Sequence, residues 1–145
     1  KWYVVGEGSE RETLERYIVE NNLEKQLILT GLVSNVNEYL AQAKIFVLTS
    51  KSEGLGMCLL EAKAQDLPCV SFDVPTGPNE IIEDGINGYL ITPFDCDTMA
   101  DRINDLIINE KLRKQFGDLA KNNIQKFEMV SIINKWNRVF DKLCE

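Results

Sequence analysis

Five short runs of strand-forming residues, Trp2 to Val5, Leu27 to Thr30, Ile45 to Leu48, Cys69 to Phe72 and Tyr89 to Ile91, are separated by stretches patterned as helices. The helical stretches lie at Glu10 to Glu20, Val36 to Ala43 and Met57 to Gln65, with a short helical turn near Asn79 to Glu83. This alternation predicts an α/β fold: one parallel sheet covered by helices on both faces. Ile45-Phe46-Val47-Leu48 is almost continuously apolar, as a strand buried on both faces would be. A tail follows at Thr98 to Ile108, Glu110 to Lys126 and Val130 to Leu143, and its apolar faces are expected to pack back on the sheet. Ligands of such sheets bind beyond the carboxyl ends of the strands, here the loops at Gly6, Gly31, Ser50 to Gly56 and Pro75.

One of these loops carries a distinctive pattern. Ser52-Glu53-Gly54-Leu55-Gly56-Met57-Cys58-Leu59-Leu60-Glu61-Ala62 places two glutamates with seven residues between them. It reads as a strand exit, a glycine-bearing loop and a helix that stops before Pro68. A helix N-terminus presents unpaired N–H groups and a partial positive charge, which suit phosphate oxygens. Gly54 and Gly56 leave room for a ligand to approach the backbone. Positions 57 and 61 share a helix face, so Glu61 stands beside a ligand whose phosphate sits at the first turn. A carboxylate placed there accepts hydrogen bonds from sugar hydroxyls.

Length and composition agree with one domain. At 145 residues, 44% of them hydrophobic, the chain can bury a core. A net charge of −7 without a Lys/Arg-rich block argues against nucleic acid and against direct contact with an anionic membrane. No stretch is long enough to span a bilayer, and Lys1-Trp2-Tyr3-Val4 lacks a signal peptide's apolar region. The cysteines, Cys58, Cys69, Cys96 and Cys144, are widely spaced, and the chain has no histidine. That pattern argues against zinc and for four free core thiols in a cytoplasmic protein.

The glutamate element resembles the E-x7-E mark, within S-x-x-E-G-x-G-x-x-x-L-E-A, of the donor-binding half of GT-B glycosyltransferases in the large retaining group called family 4. The resemblance covers nearly the whole chain. Val4-Val5-Gly6-Glu7-Gly8 looks like the family's V-G-x-G loop, Leu29-Thr30-Gly31-Leu32-Val33 its F-x-G-x-V, and Asp84-Gly85-Ile86-Asn87-Gly88 its D-G-x-N-G. In the family, an earlier strand and helix carry an arginine and a lysine that neutralise the donor diphosphate, and an acceptor-binding domain precedes them. The resemblance therefore implies a Rossmann-like donor-binding domain, residues 1–145, of a longer two-domain enzyme.

The resemblance implies transfer of a sugar from a nucleotide-sugar, a UDP-sugar, to a carbohydrate or lipid-linked acceptor bound through the N-terminal domain, with retention and no cofactor or metal. Glu53 is then the catalytic-site residue that holds sugar hydroxyls, beside backbone N–H groups of Gly54, Leu55 and Gly56. Met57 and Cys58 offer N–H groups to the diphosphate. Leu59 packs near the ribose and base, Glu61 accepts from ribose hydroxyls, Leu32 and Val33 flank the base, and Gly6 lies in a donor-side loop. A GT-B phosphorylase, hydrolase or epimerase, or a non-catalytic nucleotide-sugar sensor, would use a similar pocket.

Other motifs read differently. Gly6-Glu7-Gly8-Ser9-Glu10-Arg11 imitates a dinucleotide fingerprint, but Arg11 replaces the third glycine and the second strand ends at Thr30-Gly31 without an acidic residue, which argues against a dehydrogenase. Asp95-Cys96-Asp97 has metal-like D-x-D spacing yet opens a helix, where capping explains it. A phosphorelay receiver needs a carboxylate ending a central strand, whereas Leu48 runs into Thr49-Ser50. Pro75-Thr76-Gly77-Pro78-Asn79-Glu80 is a rigid loop, which in the family borders the donor site. Trp2, Trp136, Tyr39 and Tyr89 are expected in the core or in helix packing.

Overall fold

The computed structural model describes residues 1–144, except the side chains of Asn123 and Cys144, so the thiol expectation at Cys144 lies outside the described residues. The chain divides into two compact units, Lys1–Tyr39 and a second that begins at Leu40.

In the first unit, β1 (Trp2–Val5) runs parallel to β2 (Leu27–Gly31), with Trp2 opposite Leu27 and Val4 opposite Leu29. The register slips after Val4, bringing Val5 opposite Gly31. The chain then leaves the strand through Gly6, whose φ of +136° suits only glycine. The crossover is α1 (Arg11–Glu20), which buries Ile18. Arg11 joins its first turn to Glu7 and Glu15 through 2.8 Å ion pairs. Tyr39, in α2 (Val36–Gln42), packs its ring 6.0 Å from that of Tyr3. Trp2 is not a core residue: it is 45% exposed.

In the second unit, β3 (Phe46–Leu48), β4 (Cys69–Phe72) and β5 (Gly88–Ile91) form a parallel sheet with β4 in the middle. The five strands thus form two hydrogen-bonded groups rather than the single sheet expected, because alternation reports that strands exist and not which of them pair. The strand buried on both faces is β4; β3 is half-buried. Alternate residues of β4 serve two cores, as a two-residue period requires. Cys69 meets Leu59 and Ala62 of α3 (Met57–Ala64) and Ile81 of α4 (Pro78–Ile81) on one side. Val70 and Phe72 meet Met99, Ile103 and Leu106 of α5 (Cys96–Ile108) and Phe116 of α6 (Glu110–Asp118) on the other. Each of the buried Val, Leu, Ile, Phe and Met side chains contributes roughly 1.5–3 kcal/mol. Tyr89 is half-buried, edge-on to Phe116 at 5.1 Å.

The tail departs from expectation in two ways. The helix predicted from Glu110 to Lys126 stops at Asp118 and continues as 3-10 turns at Ala120–Asn123 and Gln125–Phe127. Its end is fixed against another loop: Gly117 lies so close to Asp66 that an added Cβ would stand 2.6 Å from the Asp66 carbonyl oxygen, and Lys121 pairs with the Asp66 carboxylate at 2.9 Å. The apolar face of α7 (Met129–Cys144) does not pack back; Ile133, Trp136, Phe140 and Leu143 are exposed, with Trp136 stacked on Phe140 of its own helix. The core-thiol expectation holds for Cys69, which is buried, but Cys58 is half-buried and Cys96 exposed at the start of α5, on its solvent side. Among the described residues no helix is long and apolar enough to cross a membrane.

Candidate functional site

Where β3 ends, residues 49–56 leave the carboxyl edge of the sheet and enter α3 through Gly56, the N-cap, in the left-handed conformation at φ +78°. No side chain among the described residues caps this helix. Leu59 N–H bonds to the Gly56 carbonyl at 2.9 Å, while the first-turn N–H groups of Met57 and Cys58 precede any intrahelical acceptor. These donors and the positive end of the helix dipole lie where the glycine loop enters α3, an arrangement that favours an anion. Glu61 and Met57, one turn apart, are exposed together, whereas Ala62 and Lys63 turn inward. Glu53 is half-buried, and Gly54 and Leu55 lie between it and the helix.

Leu59 corrects the expected assignment. It is fully buried among Leu40, Ala62 and Ile81, so its side chain anchors α3 and is not available to a ribose or base. The Cys58 thiol is pushed above its ordinary value, first by burial and then by the Glu53 charge, and so is not an activated nucleophile.

The wall beside the glutamate loop is the Pro75–Glu80 segment. Thr76 Oγ1 donates to the main-chain carbonyl of Glu53. Gly77, at φ +90°, lies against the same loop: an added Cβ would stand 2.5 Å from the Leu55 carbonyl oxygen. Pro78 then opens α4 at the first helical position, where its missing N–H costs nothing.

Behind α3 lies a pair that sequence reasoning missed. The fully buried Lys63 donates to Asn87 twice, to its main-chain oxygen at 2.9 Å and to its Oδ1 at 2.6 Å. Asn87 Oδ1 also accepts from Glu83 N–H at 3.0 Å. Burial pulls the Lys63 amine down to about 8, against smaller upward pulls from Cys69 and Glu83. Within the same D-G-x-N-G loop, Asp84 Oδ1 accepts from Leu90 N–H at 2.9 Å, and Gly88 leaves no room for a Cβ against the Cys69 carbonyl. The readable signal was a lysine among Leu59, Leu60 and Ala62 on the inner side of an apolar helix.

The remaining candidates belong to the first unit. Gly6 N–H bonds to the Gly31 carbonyl at 3.1 Å and lines a cavity of about 220 Å³ with Glu7, Gly8, Arg11 and Leu29. Leu32 is 88% exposed and Val33 half-buried. Among the described residues no three Cys, Asp or Glu side chains converge as metal ligands would. Asp95 is engaged as the cap of α5, accepting from Thr98 N–H at 3.0 Å and Thr98 Oγ1 at 2.7 Å, which holds its carboxyl below its ordinary value.

The chain is 37% identical over 142 residues to the poly(ribitol-phosphate) alpha-N-acetylglucosaminyltransferase of Staphylococcus aureus, covering 97% of this chain and 29% of that protein. It is 34% identical to the amylovoran biosynthesis glycosyltransferase AmsD of Erwinia amylovora, covering 97% of this chain and 40% of that protein. A crystal structure of an S. aureus TarM mutant with fondaparinux, alpha-GlcNAc-glycerol and UDP superposes with a TM-score of 0.90 at 38% identity, over 97% of this chain and 29% of that one. The chain thus spans well under half the length of these relatives. The glycosyl transferases group 1 model matches residues 1–123, and the chain belongs to that family, with the α/β fold of GT-B glycosyltransferases.

Proposed function

We propose that this chain is the donor-binding part of a larger, two-domain, cytoplasmic glycosyltransferase of the retaining family 4 group. It passes a sugar from a UDP-sugar to a carbohydrate or lipid-linked acceptor held by the other domain, without a metal. The observation that carries this reading is the uncapped N-terminus of α3, entered through left-handed Gly56 and flanked by Glu53 and Glu61. Its support from relatives is the TarM mutant crystallised with UDP and alpha-GlcNAc-glycerol.

The chemistry follows from the charges. Breaking the bond to the anomeric carbon leaves negative charge on the diphosphate, and the Met57 and Cys58 N–H groups with the helix dipole stabilise it as it develops. Glu61 accepts from the ribose hydroxyls, and Glu53 from those of the sugar. The hydrogen bond from the Thr76 hydroxyl to the Glu53 carbonyl and the contact with Gly77 fix the Glu53 loop before the donor arrives.

Calorimetry on the full-length protein tests the two roles separately. Glu61→Ala weakens UDP binding by about 1.5–3 kcal/mol, the range for hydrogen bonds to a charged group. Glu53→Ala leaves UDP affinity in place but impairs the UDP-sugar and its transfer. Unchanged affinity and turnover in both variants would overturn the site.

A further inference from the structure

Four contacts close a ring around the glutamate loop. From Glu53 the chain runs through Leu55 and Gly56 into α3, whose inner side carries Lys63. Lys63 holds Asn87 by two hydrogen bonds, and Asn87 Oδ1 holds the Glu83 main chain. Glu83 directly follows α4 and Ile82, and α4 begins at Gly77 and Pro78. Thr76 and Gly77 return to the start, the first bonded to the Glu53 carbonyl and the second pressed on the Leu55 carbonyl.

We propose that Lys63 is a positioning residue for Glu53, acting through Asn87 and the Thr76–Gly77 loop on the geometry of the sugar subsite. This rests on the donor-binding reading above.

Burial alone does not account for a lysine here. An ammonium in an apolar layer is costly, and a Leu or Met at the same place would fill the space without that cost. What an apolar residue cannot do is hold two oxygens of Asn87 at once. The network is also incomplete in a way that points to geometry rather than to charge: Asn87 Nδ2 is buried and has no partner among the described residues, so the amide is oriented by its oxygen and not by its donors. Met57 and Glu61 are exposed on the open face of α3, while the Glu53 main chain is held directly by the ring.

The test uses the full-length protein with Lys63→Met, Thr76→Val and the double variant. Amide hydrogen exchange is read at Glu53 to Gly56, and calorimetry is run with UDP and with UDP-N-acetylglucosamine. Each single variant is expected to speed exchange at Glu53 to Gly56 at least fivefold. Each also keeps UDP affinity within twofold and loses roughly five- to tenfold in affinity for the UDP-sugar. The double variant is no worse than the worse single one, because both changes open the same ring. Thr76 is exposed, so its variant folds even if Lys63→Met does not, and Asn87→Asp, which keeps the acceptor and replaces Nδ2, should retain wild-type exchange. Unaltered exchange at Glu53 to Gly56 in Lys63→Met, or additive losses in the double variant, overturns the proposal. If the wild type binds neither UDP nor the UDP-sugar, the donor reading fails, and the role assigned to Lys63 falls with it.

Discussion

Gly77 approaches Leu55 so closely that a methyl group at its Cα would sit 2.5 Å from the Leu55 carbonyl oxygen and 2.7 Å from its carbonyl carbon. Two loops after neighbouring strands, β3 and β4, are therefore in main-chain contact just where the glutamate element turns into α3. The contact leaves no slack, and it is made in a backbone conformation, φ +90°, that L side chains avoid.

The first prediction is that Gly77→Ala is destabilising well beyond a surface change. The backbone conformation alone costs about 1–2 kcal/mol, and moving Leu55 adds to it. Urea denaturation should show a lower midpoint at unchanged slope, together with weakened UDP-sugar binding. A wild-type midpoint would mean that the two loops are free to part.

A second prediction concerns the thiols. Burial and the Glu53 charge keep Cys58 protonated, burial pushes Cys69 up to about 12, and Cys96 is exposed at the surface. Iodoacetamide at neutral pH should therefore alkylate Cys96 well before Cys58 and leave Cys69 untouched in the folded protein, as read by peptide mapping. Labelling of Cys58 ahead of Cys96 would contradict the placement of α3.

The third prediction separates capping from metal binding at Asp95. Its carboxylate is engaged by both the N–H and the hydroxyl of Thr98. Asp95→Ala should lower the melting temperature without altering transfer by the full-length enzyme, and that transfer should survive EDTA. Activity lost to chelator and restored by manganese or magnesium would reverse the assignment.

Much of this was legible in the chain itself. Six helices and five strands fall within a residue or two of their expected places, because apolar runs such as Cys69-Val70-Ser71-Phe72 and stops such as Leu67-Pro68 are local signals. The E-x7-E element was likewise visible as a glycine loop opening a helix. What stayed hidden depends on distant partners. Nothing near Thr76 announces that its hydroxyl reaches Glu53, and Lys63 reads as a solvated charge until Asn87 is placed behind it. Leu59 misled for the same reason: the family resemblance placed it near the ribose and base, and only packing against Leu40 and Ile81 shows it to be core. The amphipathic pattern of α7 gave a period without a partner, and its apolar face is exposed.

The last prediction is a pH profile built on the buried pair of Lys63 and Cys69. The amine titrates at about 8 in the folded chain against an ordinary 10.5, so from pH 8 upward the unfolded chain holds a proton that the folded one has released. Stability then rises with pH. The Cys69 thiol titrates at about 12 against an ordinary 9.0, so from pH 9 upward the folded chain keeps a proton that the unfolded one gives up, and this slope is the opposite. The titratable neighbours of Lys63 are Cys69 on β4 and Glu83 after α4, and both pull its value up against the larger effect of burial. The two slopes together give a rise on the order of 1 kcal/mol between pH 8 and 9, a plateau to about 10.5 and a fall above it. Lys63→Met removes only the first slope, so its stability should stay level from pH 8 to 9 and fall directly above 9. Denaturation midpoints of the two proteins across pH 7 to 11 decide the matter, and the difference between them cancels the titrations they share. Parallel profiles would show that Lys63 titrates as a solvated lysine and is not held behind α3.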